Sequence, residues 1–445
     1  MNTGKRSWMI FALIALFAFA LPINRTLAQE ERTREAVVLT AVGPLTPAMR
    51  EYIERGIEIA ARRNSELVIL KLDTPGGSGT LMDEIVQVIL DSKVPVIIYV
   101  APQGAIAASA GTIITLAGDL AAMAPGTAIG AASPVGSEGE DLGETMERKA
   151  KEIVRAQIRE LARNRPAEAI ALAEDTVENA VAVSAEEAFA IGLVDYLAKD
   201  IQDLLKQLDG VKVNAGDGPR MLDTEFLTIN EINITFIEEL LSILTNPNIV
   251  FILLSLGVQL ILIELSNPGG WVAGFVGVMS LLMAGYGLGV LPVNWVWMLL
   301  MVVAFALFYM EVTSPSKGAF SVGGVIAFVA GALMIFNSGG TPSFYRVSVP
   351  LVVATGVIIA GTFIALVTFA MSALKSPVKT GQALLIGRTG VVRSDLLPNK
   401  TGNVQLGGEA WTAELSEGEK KLKIGERVEV VGVAGVRLKV RKKPD

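Results

Sequence analysis

Val94-Pro95-Val96-Ile97-Ile98-Tyr99-Val100, followed after three residues by Gly104-Ala105-Ile106-Ala107-Ala108-Ser109-Ala110-Gly111, decides the fold of the first half of the chain. A run that is apolar at nearly every position, and not at alternate ones, is expected of a strand covered on both faces of a parallel sheet. The second stretch sets one hydroxyl, Ser109, among tiny residues where a helix over Ser109–Leu116 should begin. Small neighbours leave room for a polypeptide, and a helix N-terminus favours developing negative charge. Taken alone, Ser109 reads as well as a helix N-cap.

Working outward, the same alternation of strand and helix holds from Glu35 to Asp200. Ala36–Val42 is a short β-rich run, and Thr46–Arg62 has helical spacing with Thr46 as N-cap and Pro47 at the first helical position. Leu67–Leu72 is a second continuous apolar run, ending in Asp73-Thr74-Pro75-Gly76-Gly77. A glycine pair at a strand end lets backbone N–H groups approach a ligand, although any strand-ending turn can carry one. Thr80–Ser92 is amphipathic, and Asp73 reads as a turn residue. Downstream, Glu144–Asn164 is an amphipathic helix carrying Lys149 and Lys151, which lie ~200° apart round the helix and cannot share a role. Most lysines on such helices are simply solvated. The β-α-β-α order predicts an α/β domain with a largely parallel sheet.

Two absences narrow the chemistry. The chain has no Cys and no His among its 445 residues. Disulfides, thiol nucleophiles, Ser–His–Asp triads and His-ligated metals are excluded, so a hydrolase here must use Lys, Asp or Glu as its base. No metal or organic cofactor is implied, and no Walker motif points to ATP. The net charge of −7 comes without a basic stripe, so no nucleic-acid partner is indicated.

Residues 1–28 read as a secretory signal, with Lys5 and Arg6 before an apolar Trp8–Leu21 segment and a Thr26-Leu27-Ala28 cleavage site; an uncleaved anchor is the alternative. The α/β domain spans 29–205, and 206–247, which holds short strand-like pieces, reads as a linker with a juxtamembrane helix at Phe236–Leu244. A membrane block over 248–374 holds five apolar segments, at 248–265, 269–290, 293–312, 318–336 and 347–373, each near the ~20 residues that cross a bilayer. Two of them are duplicated: Glu264, Pro268, Gly277 and Val278 recur as Glu311, Pro315, Gly324 and Val325, 47 residues on. Glycine abundance in membrane helices is the alternative reading of this pattern. The two glutamates, at segment ends, are expected to be solvated by the headgroup region. Lys375, Lys379 and Arg388 after the last segment put the tail in the cytoplasm and the α/β domain outside it. The tail, 380–445, carries five short strands and reads as a small OB-type barrel with Trp411 in its core.

Gly76-Gly77, the Ser109 turn, Met123-Ala124-Pro125-Gly126-Thr127, Ile129-Gly130, Ser184-Ala185-Glu186-Glu187-Ala188 and Gly192-Leu193-Val194-Asp195 together resemble the ClpP/crotonase-fold peptidases. The whole order of signal, ClpP-like domain, membrane block and OB-fold is similar to long-form NfeD proteins. That resemblance implies a serine protease with Ser109 as nucleophile. It also implies a Lys base twelve residues before a Leu-Ala pair, which counted back from Leu161-Ala162 is Lys149. Oxyanion donors would be backbone N–H groups at Gly76, Gly77 and Ala110. A Ser–Lys dyad needs a neutral amine, which apolar burial supplies. Such a dry site implies a pocket lined by Ile106, Ala107 and Ile129, taking peptides with apolar segments. The resemblance further implies a stomatin/SPFH-type membrane partner, and the chain is expected to form homo-oligomers. The alternative function is a non-catalytic membrane scaffold acting through the membrane block and the OB-fold. The tail has only Trp411 as a stacking aromatic, which argues against nucleic acid.

Overall fold

The computed structural model describes residues 34–136, 143–216, 218–266, 269–313, 318–336, 341–375 and 384–443. The expected signal segment 1–28, Pro268, Pro315 and Lys379 lie outside those residues.

The first half alternates as expected: β1 (Glu35–Val42), α1 (Pro47–Arg63), β2 (Leu67–Asp73), α2 (Gly79–Leu90), β3 (Val96–Val100), β4 (Ile106–Ala108), α3 (Ala110–Ala117), β5 (Leu120–Met123), β6 (Ala128–Gly130), α4 (Glu144–Leu161), α5 (Ala167–Glu178), β7 (Ala182–Ser184), α6 (Ala185–Ile191), β8 (Tyr196–Leu197) and α7 (Ile201–Leu208). Local chemistry fixes the ends. The Thr46 side chain accepts from the Met49 N–H and Pro47 opens α1, while Asn64 closes it in the left-handed region. Ser184 and Glu187 form a capping box at α6.

Six strands make one parallel sheet in the order β11 (Thr228–Glu231), β1, β2, β3, β5, β8. The apolar runs divide by parity: Val37 and Leu39 enter the core beneath α1 and α2, whereas Ala36 and Val38 enter the core on the other face, with Leu204, Leu205 and Leu208 of α7. A second small sheet, β4-β6-β7, stands beside the first.

The stretch read as a linker does more than connect. It supplies a hairpin, β9 (Lys212–Ala215) and β10 (Gly218–Met221), and then β11 (Thr228–Glu231), which becomes the sixth strand of the main sheet beside β1. Helix α8 (Phe236–Leu244) follows, capped reciprocally by Thr235 and Glu238. Glu238 is buried, and Arg55 of α1 grips both its oxygens at 2.7 Å. Tyr52 donates to the Ile232 carbonyl at 2.7 Å. The juxtamembrane segment is thereby bolted to the α/β domain.

Five apolar helices follow: α9 (Pro247–Ser266), α10 (Val272–Val290), α11 (Trp295–Thr313), α12 (Ala319–Ile335) and α13 (Val349–Lys375). Of these, α9 and α10 are long and apolar enough to cross a bilayer by themselves. Helices α9 and α10 pair closely, as do α11 and α12. Glycine makes the approach possible: a Cβ on Gly277 would stand 2.8 Å from the Gly257 carbonyl oxygen.

The duplication extends to hydrogen bonds. Glu264 accepts from the N–H groups of Trp271 and Gly274 at the start of α10, and Glu311 accepts from Gly318, Phe320 and Ser321 at the start of α12. Both residues before these helices, Trp271 and Gly318, are left-handed. The expectation of headgroup solvation is therefore corrected for Glu311. It is 1% exposed, and backbone donors at a helix N-terminus take the place of water.

The C-terminal unit is a closed five-stranded barrel, β12 (Thr389–Val392), β13 (Gly402–Leu406), β14 (Glu409–Leu415), β15 (Arg427–Ala434) and β16 (Arg437–Lys442), in the order β12-β13-β14-β16-β15. Val404, Leu406, Ala413, Val428, Val430, Leu438 and Val440 fill it, and the chain closes with a parallel β14–β16 pair. This is the small all-β OB-type domain the tail predicted. Trp411 lies half-buried against the core and not inside it.

Candidate active site

Ser109 stands at the carboxyl edge of the main sheet, where β2 and β3 end in the two turns singled out by sequence. Its backbone is at φ 55°, ψ −122°, a region L-residues rarely occupy. Three tethers over-determine that geometry. The Ser109 N–H donates to the Gly130 carbonyl at 2.9 Å. The Thr112 hydroxyl, fully buried one turn on, lies 2.9 Å from the Ala107 carbonyl oxygen and 3.0 Å from that of Gly130, and accepts from the Gly130 N–H at 3.0 Å. The strand β4, leading into Ser109, is laced to the end of β2. There the Thr74 N–H donates to the Ile106 carbonyl, the Ala108 N–H donates to the Thr74 carbonyl, and the Asp73 carboxylate accepts from the Ile106 N–H. Asp73, read from sequence as a turn residue, is instead the last residue of β2, and its carboxylate serves the backbone of β4.

Although Ser109 occupies the N-cap position of α3, its side chain makes no capping hydrogen bond. The hydroxyl is left for other work. Facing it is Gly76, at φ 103°, where an added Cβ would lie 2.7 Å from Ser109 Cβ and 3.1 Å from Oγ. Only glycine fits there.

The three expected oxyanion donors separate. The Gly76 N–H donates to the Thr74 hydroxyl at 3.0 Å, so it is already engaged, and Gly76 contributes space instead. The N–H groups of Gly77 and Ala110 donate to no described residue. Ala110 is the first residue of α3, where an N–H has no intrahelical acceptor and the helix dipole is positive.

The expected pocket is revised. Ile106 is 39% exposed, but Ala107 and Ile129 are buried in the main core. Successive residues of a strand point to opposite faces, and β4 and β6 turn these two inward. Ile106 alone of the three is open to a substrate in this chain.

Lys149 is exposed on the first half of α4, and no described residue hydrogen-bonds its amine. The burial expected for it is not found in the single chain. Helix α4 buries only Ile158 and packs on α3, the helix Ser109 begins. Residues 137–142, which lead into α4, lie outside the described residues. Lys151 differs: it pairs with Glu147 at 2.8 Å and donates to the Glu178 carbonyl at 2.9 Å.

Sequence reasoning missed Thr112. Its signal was only its place in Ser109-Ala110-Gly111-Thr112, in a short helix that is buried all round.

Three parts of the chain match domains of one family. Residues 43–215 match the NfeD1b N-terminal domain, 248–369 the NfeD integral membrane domain, and 382–442 the NfeD-like C-terminal, partner-binding domain. The chain is also 35% identical over 405 residues to a Pyrococcus horikoshii protein named membrane-bound protease PH1510, covering 89% of this chain and 90% of that one. The chain belongs to the NfeD family. A Bacillus subtilis relative, membrane protein NfeD1b, is 26% identical across 97% of this chain and 98% of its own length. Among solved structures, a Pyrococcus horikoshii 1510-N membrane protease described as specific for a stomatin homolog is 34% identical. It covers 48% of this chain and 98% of its own, with a TM-score of 0.41. The NfeD membrane domain spans the two helix hairpins and most of α13, so this is a membrane protein.

Proposed function

We propose that this NfeD protein is a membrane-anchored serine endopeptidase in which Ser109 is the nucleophile and Lys149 the general base. Protease character follows from homology over nine-tenths of the chain to a membrane-bound protease. The observation that carries the finer reading is Ser109 itself: an unbonded hydroxyl in strained backbone, facing Gly76, with free N–H groups at Gly77 and Ala110. In the reaction a neutral Lys149 amine takes the Ser109 Oγ proton as Oγ attacks the peptide carbonyl. The two N–H groups stabilise the oxyanion, an effect typically worth ~3–4 kcal/mol per donor in such sites. Collapse expels the amine, which leaves with the proton from Lys149, and water then releases the acyl group.

The exposed Lys149 favours a second reading, a non-catalytic scaffold that engages a partner through the membrane block and barrel. A serine-reactive fluorophosphonate on the full chain separates the two. Labelling at Ser109, with peptide cleavage lost in Ser109→Ala and Lys149→Ala but kept in Lys151→Ala, supports the dyad. Full cleavage by Lys149→Ala would remove Lys149 from the mechanism.

Substrates with apolar segments suit a site of Ala, Gly and Ile106. A stomatin-type membrane protein, implied by the family resemblance, is the partner we assign to the C-terminal barrel, and homo-oligomers are expected to bring Lys149 into a drier setting. Five crossings put the α/β domain outside and the barrel in the cytoplasm. Reporter fusions after Leu205 and after Asp445 should read opposite sides; the same side for both would contradict an odd number of crossings.

A further inference from the structure

A cavity of about 240 Å³ opens at the carboxyl end of β1, between the α/β domain and the start of the membrane block. Thr40 and Val42 wall one side, Ser242 and Thr245 at the end of α8 another, and Phe344 with Tyr345, from the short turn before α13, a third. None of its lining residues is Asp, Glu, Lys or Arg. Val42 is 61% exposed there.

The backbone at this place is an open sheet edge. Strand β11 pairs with β1 only as far as Val38, whose carbonyl accepts from the Ile232 N–H. Thr40 and Val42 face the same side as Val38, because alternate residues of a strand do. The Thr40 N–H is taken by the Tyr52 hydroxyl at 2.9 Å. Beyond it, no described strand pairs with the Thr40 carbonyl or the Val42 N–H. Such an edge is what an extended polypeptide completes.

A single loop separates the cavity from the candidate active site. Both lie along the carboxyl edge of one parallel sheet, the usual ligand side of such folds. Between them runs the 43–46 loop, in which the Leu45 N–H donates to the Gly76 carbonyl at 3.0 Å. Gly77 presses on the same residue, for a Cβ there would meet Leu45 Cβ at 2.8 Å.

We propose that this cavity holds a second, uncharged stretch of the substrate chain, extended against the open edge of β1 on the membrane side of the active site. The inference rests on the protease reading above. A lipid headgroup is the poorer occupant, since no cation lines the cavity for its phosphate, whereas the backbone groups at Thr40 and Val42 fit a peptide.

The test uses the full chain carrying Ser109→Ala in lipid nanodiscs, so that binding is read without turnover. The probe is a fluorescein-labelled peptide of ~14 residues made of Ala, Val, Leu and Ser, followed by anisotropy. Ser242→Trp and Val42→Trp fill the cavity from exposed positions and should each weaken binding about tenfold. Unchanged affinity in both variants, or no binding by the parent, overturns the proposal. So does a photoreactive phospholipid that labels Tyr345 in place of a photoreactive version of the peptide. Hydrolysis of a hexapeptide, too short to reach the cavity, is measured with Ser109 restored. Equal hexapeptide rates with and without Ser242→Trp, alongside weakened binding of the longer peptide, are the expected pair. Failure to cleave the hexapeptide at all, with long-peptide binding intact, strikes the protease reading and leaves the cavity assignment standing.

Discussion

Gly76→Ala is the sharpest single perturbation of the site. The backbone at Gly76 is at φ 103°, and a methyl group there would sit 2.7 Å from Ser109 Cβ and 3.1 Å from its Oγ. Holding a non-glycine residue in such a region costs about 1–3 kcal/mol. Forcing a methyl into a packed contact typically adds another ~1–3 kcal/mol. Ser109 cannot yield easily, because its N–H and the neighbouring Gly130 and Thr112 groups hold it. The strain must therefore move either the serine or the 74–77 turn, and with it the Gly77 N–H. A displacement approaching 1 Å at a reacting group is worth ~10²-fold in rate. The expected result is a kcat/KM for a model apolar peptide down about a hundredfold, with a lowered melting temperature. Gly79→Ala is the matched control, since Gly79 has open space where its Cβ would go and begins α2. If Gly76→Ala cleaves and melts like the parent chain, Gly76 and Ser109 do not face each other, and the site as built here is wrong.

Thr112→Val should lower both stability and turnover: it keeps the shape but strands the buried Gly130 N–H, at about 1–3 kcal/mol, and loosens the carbonyl that holds the Ser109 N–H. Thermal melts and kcat on one peptide check it, and a variant with parent kcat would show that Thr112 does not position the serine. Burial lifts the Asp119 carboxyl to about 6, against the hydrogen bond from the Val96 N–H that lowers it. A carboxyl raised in the folded state favours folding when protonated, so that contribution is full below its ordinary value near 3.8 and is lost as pH rises through about 6. Asp119→Asn should thus gain stability over the parent as pH climbs from 4 to 7, with the gap levelling above; parallel melting curves across that range would refute the assignment.

The parts of the fold legible in sequence were those written in local chemistry. Continuous apolar runs gave β2 and β3, Thr46-Pro47 gave the start of α1, and the five short strands of the tail gave the barrel. The place of β11 in the main sheet was hidden: Thr228-Ile229-Asn230-Glu231 reads as one more short strand-like piece without an apolar run, and its pairing with β1 is a contact between distant parts of the chain, which no window can see. The pocket was misread for a related reason. Ile106 and Ala107 look alike in a run of small residues, and only the pleat of β4 decides that one faces outward and the other the core. The repeat of Glu264 at Glu311 was visible as spacing, yet its role needed the geometry of the next helix start, where backbone donors converge on the carboxylate.

The tether between the two halves bears on what such a site is for. Glu238 caps α8 and is at the same time held by Arg55, while Tyr52 bridges the Thr40 N–H to the Ile232 carbonyl. These contacts are part-buried, and a hydrogen bond to a charged group is worth ~1.5–3 kcal/mol, so the juxtamembrane helix is no loose string. It fixes the carboxyl edge of the sheet next to the first membrane helix. For a substrate embedded in the same bilayer, a stiff short connection converts encounter into an event at effective concentrations in the ~mM range. A site built mostly of Ala and Gly offers few side-chain contacts and would bind a free peptide weakly. On the protease reading proposed above, a site anchored beside its substrate need not bind tightly, and selection among targets would pass from Ile106 to whatever brings a target's apolar segment to the bilayer.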